Sequence, residues 1–301
     1  MTGVLDAFTA EGRWYRGNLH LHTTMSDGRL SPAEAVETYR RRGYDFLAIT
    51  DHWHLTDPNE IEVGGDFLLV PGEEVNGYHE PADMIWHAVG LFLEREVPRT
   101  VDQPPQWGID ALREAGADAV LAHPYWSGNQ LDQILALEGL FAIEIYNTTC
   151  QRGPGRGHSL VHWDGLWHAE RRLWGLAVDD AHRVPYDGLQ GWVMLKAPQL
   201  SLQAVRQALR AGHFYYTTGP EIHHLAIEDG HVAVRCSPCE SIRAQANRWM
   251  GSSAYADEEF DGPGHPLTEA RLPINSDATY VRVTCTDPAG RSAWSNPVAL
   301  K

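Results

Sequence analysis

The sequence predicts an α/β protein, a seven-stranded (β/α) barrel followed by a small β-sandwich-like domain. Three observations predict it. Short apolar strands alternate with helices over the first two-thirds of the chain, and ligand-type side chains recur where those strands end. After Gly219-Pro220 the rhythm changes to short alternating segments with turn-rich connectors. Repeated βα units with strands buried on both faces imply a parallel sheet, and about seven of them suggest closure into a barrel.

Asn18–His22 reads as the first strand, ending in His-Leu-His. Ser31-Pro32-Ala33-Glu34 then carries three agreeing helix-start signals: an N-cap serine, proline at the first helical position and glutamate at N3. That helix runs to about Arg42, with Gly43 as its stop. Phe46–Thr50, Phe67–Val70, His87–Phe92, Ala119–Ala122, Phe141–Tyr146, Trp174–Val178 and Gly191–Lys196 are the following strands. Helices over Ile109–Ala115, Leu131–Glu138, Leu160–Arg171 and Ser201–Ala211 lie between or after them. In the remainder, His231–Cys236 and Thr279–Thr286 alternate as half-buried strands do, and Asp287-Pro288-Ala289-Gly290 reads as a hairpin turn. The expected domains are therefore 1–219 and 220–301.

Composition narrows the function classes. The 301 residues include 24 Lys and Arg against 40 Asp and Glu, a formal net charge of −16. A nucleic acid is not the expected partner, because its phosphates must be met by clustered cations. No apolar run is long enough to span a membrane, and the N-terminus lacks the pattern of a signal peptide, so a cytoplasmic location is expected. Of the four cysteines, Cys236 and Cys239 form a lone C-x-x-C without a second pair, so reduced thiols are expected rather than a structural zinc site.

The sixteen histidines matter through their placement. Alternate residues of an extended chain point the same way, so His20-Leu21-His22 aims two imidazoles into one pocket. Asp27 follows in Ser26-Asp27-Gly28; later junctions add Asp51-His52, Glu73-Glu74, His87, His123, Glu144 and Asp179-Asp180-Ala181-His182. In a parallel barrel the C-terminal strand ends open on one face, where residues distant in sequence converge. Imidazole with carboxylate suits Zn, Mn or Fe. So many donors exceed one ion's needs and suit two or three divalent ions sharing a bridging carboxylate.

Asn18-Leu19-His20-Leu21-His22-Thr23, Ser26-Asp27-Gly28, Thr50-Asp51-His52, Pro71-Gly72-Glu73-Glu74, Ala122-His123-Pro124 and Asp180-Ala181-His182 resemble, in order, the motifs of the PHP (polymerase and histidinol phosphatase) family. The resemblance implies a distorted seven-stranded barrel. It implies that His20, His22, Glu74 and Asp180 hold one ion, that Glu74 bridges to a second held by His87 and His123, and that Asp27, His52 and His182 hold a third. Glu74 rather than Glu73 matches the Pro-Gly-x-Glu pattern. Downstream, Trp174–His182 and Ala211–Pro220 resemble the carbaryl-hydrolase-like branch, whose members add a β-rich C-terminal domain.

The expected activity is hydrolysis by metal-activated water, with a phosphomonoester or phosphodiester as substrate. Glu74, Asp180 and His182 would carry the chemistry, and Asp51 and Asp179 would orient imidazoles. Arg152 and Arg156, in the glycine-rich loop Gly153–Gly157, would meet the phosphoryl group, with Arg183 and Lys196 as further cations. Tyr78, His79 and His158 are candidates for a general acid. Carbamate or aryl ester hydrolysis is the alternative, favoured by Trp53, Tyr125, Trp126 and Tyr146 beside the ligands. A non-catalytic metal-binding scaffold is a third reading. A small-molecule ester is the expected partner, and the C-terminal domain could mediate oligomerisation.

Overall fold

The computed structural model describes residues 3–300 apart from 5, 63, 101 and 257–264. Contacts divide the chain into two compact units, Tyr15–Val193 with Gln199–Gln207, and Met1–Trp14 with Met194–Pro198 and Ala208–Lys301. A single cut between 219 and 220 does not reproduce this division. Phe214–Thr217 pairs antiparallel with Ser292–Ser295, and Gly3–Val4 pairs with Ile227 and Ala226, so both segments belong to the β-rich unit.

The larger unit is a mixed α/β structure with a predominantly parallel sheet. Its strands are Arg13–Asn18 from Tyr15 onward, Phe46–Ile49, Leu68–His79, Met84–Leu91, Asp118–Leu121, Leu140–Asn147 and Trp174–Val178. They neighbour one another in chain order. Four of the six pairings are parallel. Met84–Leu91 departs from the all-parallel expectation by running antiparallel to both its neighbours. The cause is local. Only Glu80–Ala82 and Asp83 separate it from Leu68–His79, too few residues for a crossover helix, so the two strands form a hairpin. Beyond the strands, His22 N–H donates to Ala181 O (3.0 Å) and Asp180 N–H to His20 O (2.8 Å). These bonds join the chain after the last strand to the chain after the first.

The helix Pro32–Arg41 begins as its sequence dictates. Ser31 and Glu34 exchange side-chain and backbone hydrogen bonds in a capping box, and Gly43 follows at φ +76°. Its buried face, Ala35, Val36 and Tyr39, packs with Leu47, Ile49 and Leu69. Phe46–Ile49 is buried throughout, as a strand covered on both faces must be. The regular first strand stops at Asn18, four residues before its expected end, but the chain stays extended. Leu19 and Leu21 are buried, and His20 and His22 alternate with them.

In the β-rich unit, Gly3–Val4, Ile222–Glu228, His231–Cys239 and Leu267–Pro273 form one four-stranded antiparallel sheet. Gly251–Tyr255, Ser241–Ala246, Tyr280–Thr286, Ser292–Ser295 and Phe214–Thr217 follow one another in a second set. Leu225, Val232, Val234 and Leu272 of the first share one apolar core with Ile242, Val281, Val283 and Ala293 of the second. Asp287–Gly290 closes the hairpin between Tyr280–Thr286 and Ser292–Ser295. All four cysteines are free and buried. Among the described residues no helix is long and apolar enough to cross a membrane.

Candidate metal centre

The nine candidate ligands come together at one end of the larger unit's strands, around Glu74. Strand parity decides which glutamate enters. Glu74 is buried among imidazoles, with His87 Nδ1 2.8 Å from Oε1 and His22 Nε2 3.1 Å from Oε2. Glu73 points away and accepts Val97 N–H (2.9 Å). Its Oε1 has no hydrogen-bond partner, and burial pushes its carboxyl up to about 7.

Three donor groups overlap there: His20, His22, Glu74 and Asp180; His22, Asp27, His52 and His182; and His52, Glu74 and His87. In the first, His20 Nε2 and His22 Nε2 lie 3.2 Å apart, and each is 3.0–3.3 Å from Glu74 Oε2 and Asp180 Oδ1. Four donors placed tetrahedrally about 2.0–2.1 Å from a centre have edges of about 3.3–3.4 Å, so these side chains frame a cage of the right size for a transition metal. His52 Nδ1 is buried 3.2 Å from Glu74 Oε2, yet makes no hydrogen bond. An orphaned nitrogen aimed at a shared carboxylate is what a ligand lacking its ion looks like. The donor chemistry and the geometry therefore fit divalent cations.

The grouping differs in detail from the expected one. His22 also joins Asp27, His52 and His182, its Nδ1 lying 3.4 Å from Asp27 Oδ1. His52 takes the place expected of His123 beside Glu74 and His87, while His123 Nε2 lies 3.5 Å from Glu74 Oε1. Two of these residues sit on left-handed backbone, His123 at φ 27° and Asp180 at φ 55°. Such conformations cost about 1–3 kcal/mol for non-glycine residues and gather at functional sites.

Charge compensation within the cluster runs through protons. Burial disfavours a charged His20, but Asp180, Glu144 and Glu74 outweigh it and raise its pKa well above the usual imidazole value. His22 is likewise raised to about 10 against burial by Asp180 and Glu74, and His123 and His182 are raised too. His52 is the exception, pushed down chiefly by burial. The carboxylates respond in the opposite sense. Burial alone would raise Glu74 and Asp180, but His20 and its neighbours hold both well below the carboxylate range.

Glu144 proves to be the residue that orients imidazoles. Its Oε1 accepts His20 Nδ1–H (2.6 Å), which turns the Nε2 lone pair of a neutral ring toward the cage. Its Oε2 accepts the His123 peptide N–H (2.9 Å) and Asn147 Nδ2–H (2.9 Å). Asn147 also donates to Asp180 Oδ2 (3.1 Å) and was not singled out by sequence reasoning. Its position at a strand end and helix N-cap was the available signal.

Among the described residues Asp51 and Asp179 make no direct hydrogen bond to an imidazole; both hold loops, and Asp51 reaches His22 Nδ1 only through Ser26 Oγ (3.4 Å). Asp51 accepts Thr23 N–H (2.7 Å), Thr23 Oγ1–H and Ser26 Oγ–H (2.6 Å each), fixing the turn that presents Asp27. Gly28 completes that turn because a Cβ there would meet His22 O at 2.2 Å. Asp179 accepts six hydrogen bonds from Asn18, Tyr39, Thr148, Leu189, Gln190 and Gly191.

A cavity of about 480 Å³ opens over the donors. Arg152 and Arg156, expected at its mouth, are not among its lining residues; their guanidinium carbons lie 4.6 Å from the Tyr186 ring and 5.7 Å from the Tyr125 ring. Lys196 reaches Phe8 O (3.4 Å) instead. Arg183 does line the cavity, and so does Arg29, which sequence reasoning passed over. Trp126 lines it too, whereas Trp53, Tyr125, Tyr146, Tyr78, His79 and His158 do not. The reach of a loop side chain depends on the fold of its loop, which local sequence does not encode.

No family model matches the chain. The chain is 28% identical over 142 residues to an uncharacterized protein of Methanocaldococcus jannaschii, covering 44% of this chain and 53% of that one. It is 31% identical over 112 residues to the phosphoribosyl 1,2-cyclic phosphate 1,2-diphosphodiesterase of Eggerthella lenta, covering 33% of this chain and 43% of the relative. The chain thus spans about half or less of these curated relatives. Among solved structures, a two-domain protein from Bacteroides vulgatus, containing a predicted PHP-like metal-dependent phosphoesterase, aligns over 100% of this chain and 97% of its own with a TM-score of 0.56 at 15% identity. That likeness establishes a shared fold.

Proposed function

We propose that the chain is a metal-dependent hydrolase of the PHP family, a phosphoesterase built on a distorted seven-stranded barrel. The observation that carries this reading is the set of three donor groups sharing Glu74, with four donors framing a cage of transition-metal size. The Eggerthella relative's phosphodiesterase name and the Bacteroides fold support the same direction.

Two or three divalent ions, Mn, Fe or Zn, would be held by His20, His22, Asp27, His52, Glu74, His87, His123, Asp180 and His182. When bound, they lower the pKa of water and polarise a phosphoryl oxygen. The chain's own groups prepare that chemistry. Glu144 fixes the His20 tautomer, Asp51 fixes the turn carrying Asp27, and Glu74 offers one oxygen to each side of the cluster. Carbamate or aryl ester hydrolysis is the second reading, favoured by the indole of Trp126 in the cavity wall.

The test is elemental analysis followed by hydrolysis of p-nitrophenyl phosphate, bis-p-nitrophenyl phosphate and 1-naphthyl methylcarbamate by metal-reconstituted protein. Phosphoester turnover with two or more ions per chain is the expected result. Carbamate turnover alone would establish the second reading, and no more than one ion after reconstitution would overturn the multinuclear centre.

A further inference from the structure

The donor set leaves Arg29, Arg183 and Trp126 of the cavity lining unused. Arg29 and Arg183 belong to one end of it. The Arg29 peptide N–H donates to His182 O (2.9 Å), and Arg183 follows His182 in the chain, so both side chains issue from the Asp27–His182 end. Asp187 accepts the peptide N–H of His182 (3.2 Å) and of Arg183 (2.8 Å), which fixes the backbone from which Arg183 projects. Among the described residues neither guanidinium enters an ion pair, although Asp27 and Asp187 also line the cavity. The Arg183 guanidinium rests against the Tyr186 ring at 5.1 Å.

Trp126 belongs to the other end. Its ring centroid is 4.9 Å from that of His123 and 5.7 Å from that of His87, both rings meeting it edge to face. It remains 39% exposed. The cavity lining is therefore sorted, with Arg29 and Arg183 beside Asp27 and His182 at one end and the Trp126 ring against His87 and His123 at the other.

We propose that this sorting selects and orients the substrate: Arg29 and Arg183 take a doubly charged phosphoryl group, and Trp126 takes a flat apolar substituent on the same ester. The inference rests on the hydrolase reading and specifies its substrate class as aryl phosphomonoesters. Guanidinium groups pair with phosphoryl oxygens through short, charge-assisted hydrogen bonds, which a neutral carbamate cannot return. An aromatic ring gains from stacking or edge contact with indole, whereas a methyl ester offers it little surface.

Calorimetric titration of the metal-reconstituted full chain with inorganic phosphate and with phenylphosphonate separates these contributions. Arg29→Ala and Arg183→Ala should each weaken both ligands alike, by about ten- to a hundredfold. Trp126→Ala should weaken phenylphosphonate by about three- to tenfold and leave phosphate unchanged; Trp126→Phe should restore most of the loss. Metal content and circular dichroism equal to the parent's qualify each variant, and Trp126→Phe decides the indole's role if Trp126→Ala does not fold. Parent-like phenylphosphonate binding in both arginine variants overturns the proposal, as does a Trp126→Ala or Trp126→Phe protein that loses phosphate and phenylphosphonate equally. Turnover distinguishes this failure from that of the hydrolase reading. A parent that hydrolyses phenyl phosphate no better than methyl phosphate overturns the substrate class alone. A parent that binds phenylphosphonate in the expected pattern yet cleaves no ester overturns the hydrolase reading and leaves the subsite standing.

Discussion

The two units bury different things. The β-rich unit has an apolar core of Leu225, Val232, Ile242, Val283 and their neighbours, with three free thiols among them. The larger unit buries His20, His22, Glu74, His123, Glu144 and Asp180 almost completely, in a group of imidazoles and carboxylates. Apolar burial is favourable without further help, at about 25 cal/mol per Å². Burying ionisable groups is costly unless each is paired. One unit is thus complete as folded, while the other contains a region whose electrostatic balance depends on what binds there.

The largest expected effect breaks this comparison if it fails. Glu74→Gln should lower activity by more than about a hundredfold and release metal, because one carboxylate serves two sides of the cluster. Glu73→Gln should do far less, since Glu73 faces Val97. Equal losses would mean that strand parity does not place the bridging carboxylate. Next, Glu144→Gln should weaken metal binding by about ten- to a hundredfold while leaving the fold intact, as expected of a group that acts through His20 and His123. A metal affinity equal to the parent's, measured by competition with a chromophoric chelator, would remove Glu144 from the centre.

In the β-rich unit the converse holds. Ile242→Ala should cost about 2–5 kcal/mol in denaturant unfolding, and metal content per folded chain should not change. Loss of metal in that variant would show that the two units are not independent in this respect. The smallest effect sharpens the electrostatic side. Without metal, His22 is raised to about 10 and holds a proton at neutral pH, and neighbouring carboxylates raise His20, His123 and His182 as well. Metal needs their lone pairs, so its uptake should release protons, and its affinity should climb as pH rises toward 10. Calorimetry in buffers of different ionisation enthalpy reads the release directly; no dependence on buffer would contradict it.

His20, His22, His52, His123, Asp180 and His182 were legible because they follow short buried strands, and a two-residue alternation sends His20 and His22 one way and Leu19 and Leu21 the other; Glu74 and His87 lie within strands instead. The helix at Ser31 was legible because its cap is purely local. What was illegible depends on distant partners. Nothing near Gly3–Val4 announces a pairing with Ile227 and Ala226, and the hairpin that reverses Met84–Leu91 hides behind an ordinary strand pattern. Asp51 and Asp179 stand beside ligands in sequence but serve loops in space. Arg152 and Arg156 were favoured for their glycine-rich loop, yet Arg29, unremarkable after Asp27-Gly28, lines the cavity.

Asn147 shows what such arrangements mean for reading function from variation. Its single amide donates to Glu144 and to Asp180, and its oxygen caps the helix Thr148–Arg152 by accepting Cys150 N–H (2.9 Å). Leucine, of similar size, would leave two buried carboxylates short of a donor, at about 1–3 kcal/mol each or more. Aspartate would press a third carboxylate against them. In a saturation-mutagenesis screen this position would therefore score as intolerant as the ligands, although no substrate or ion need touch it. A catalytic site mapped from intolerance alone would be drawn one shell too wide.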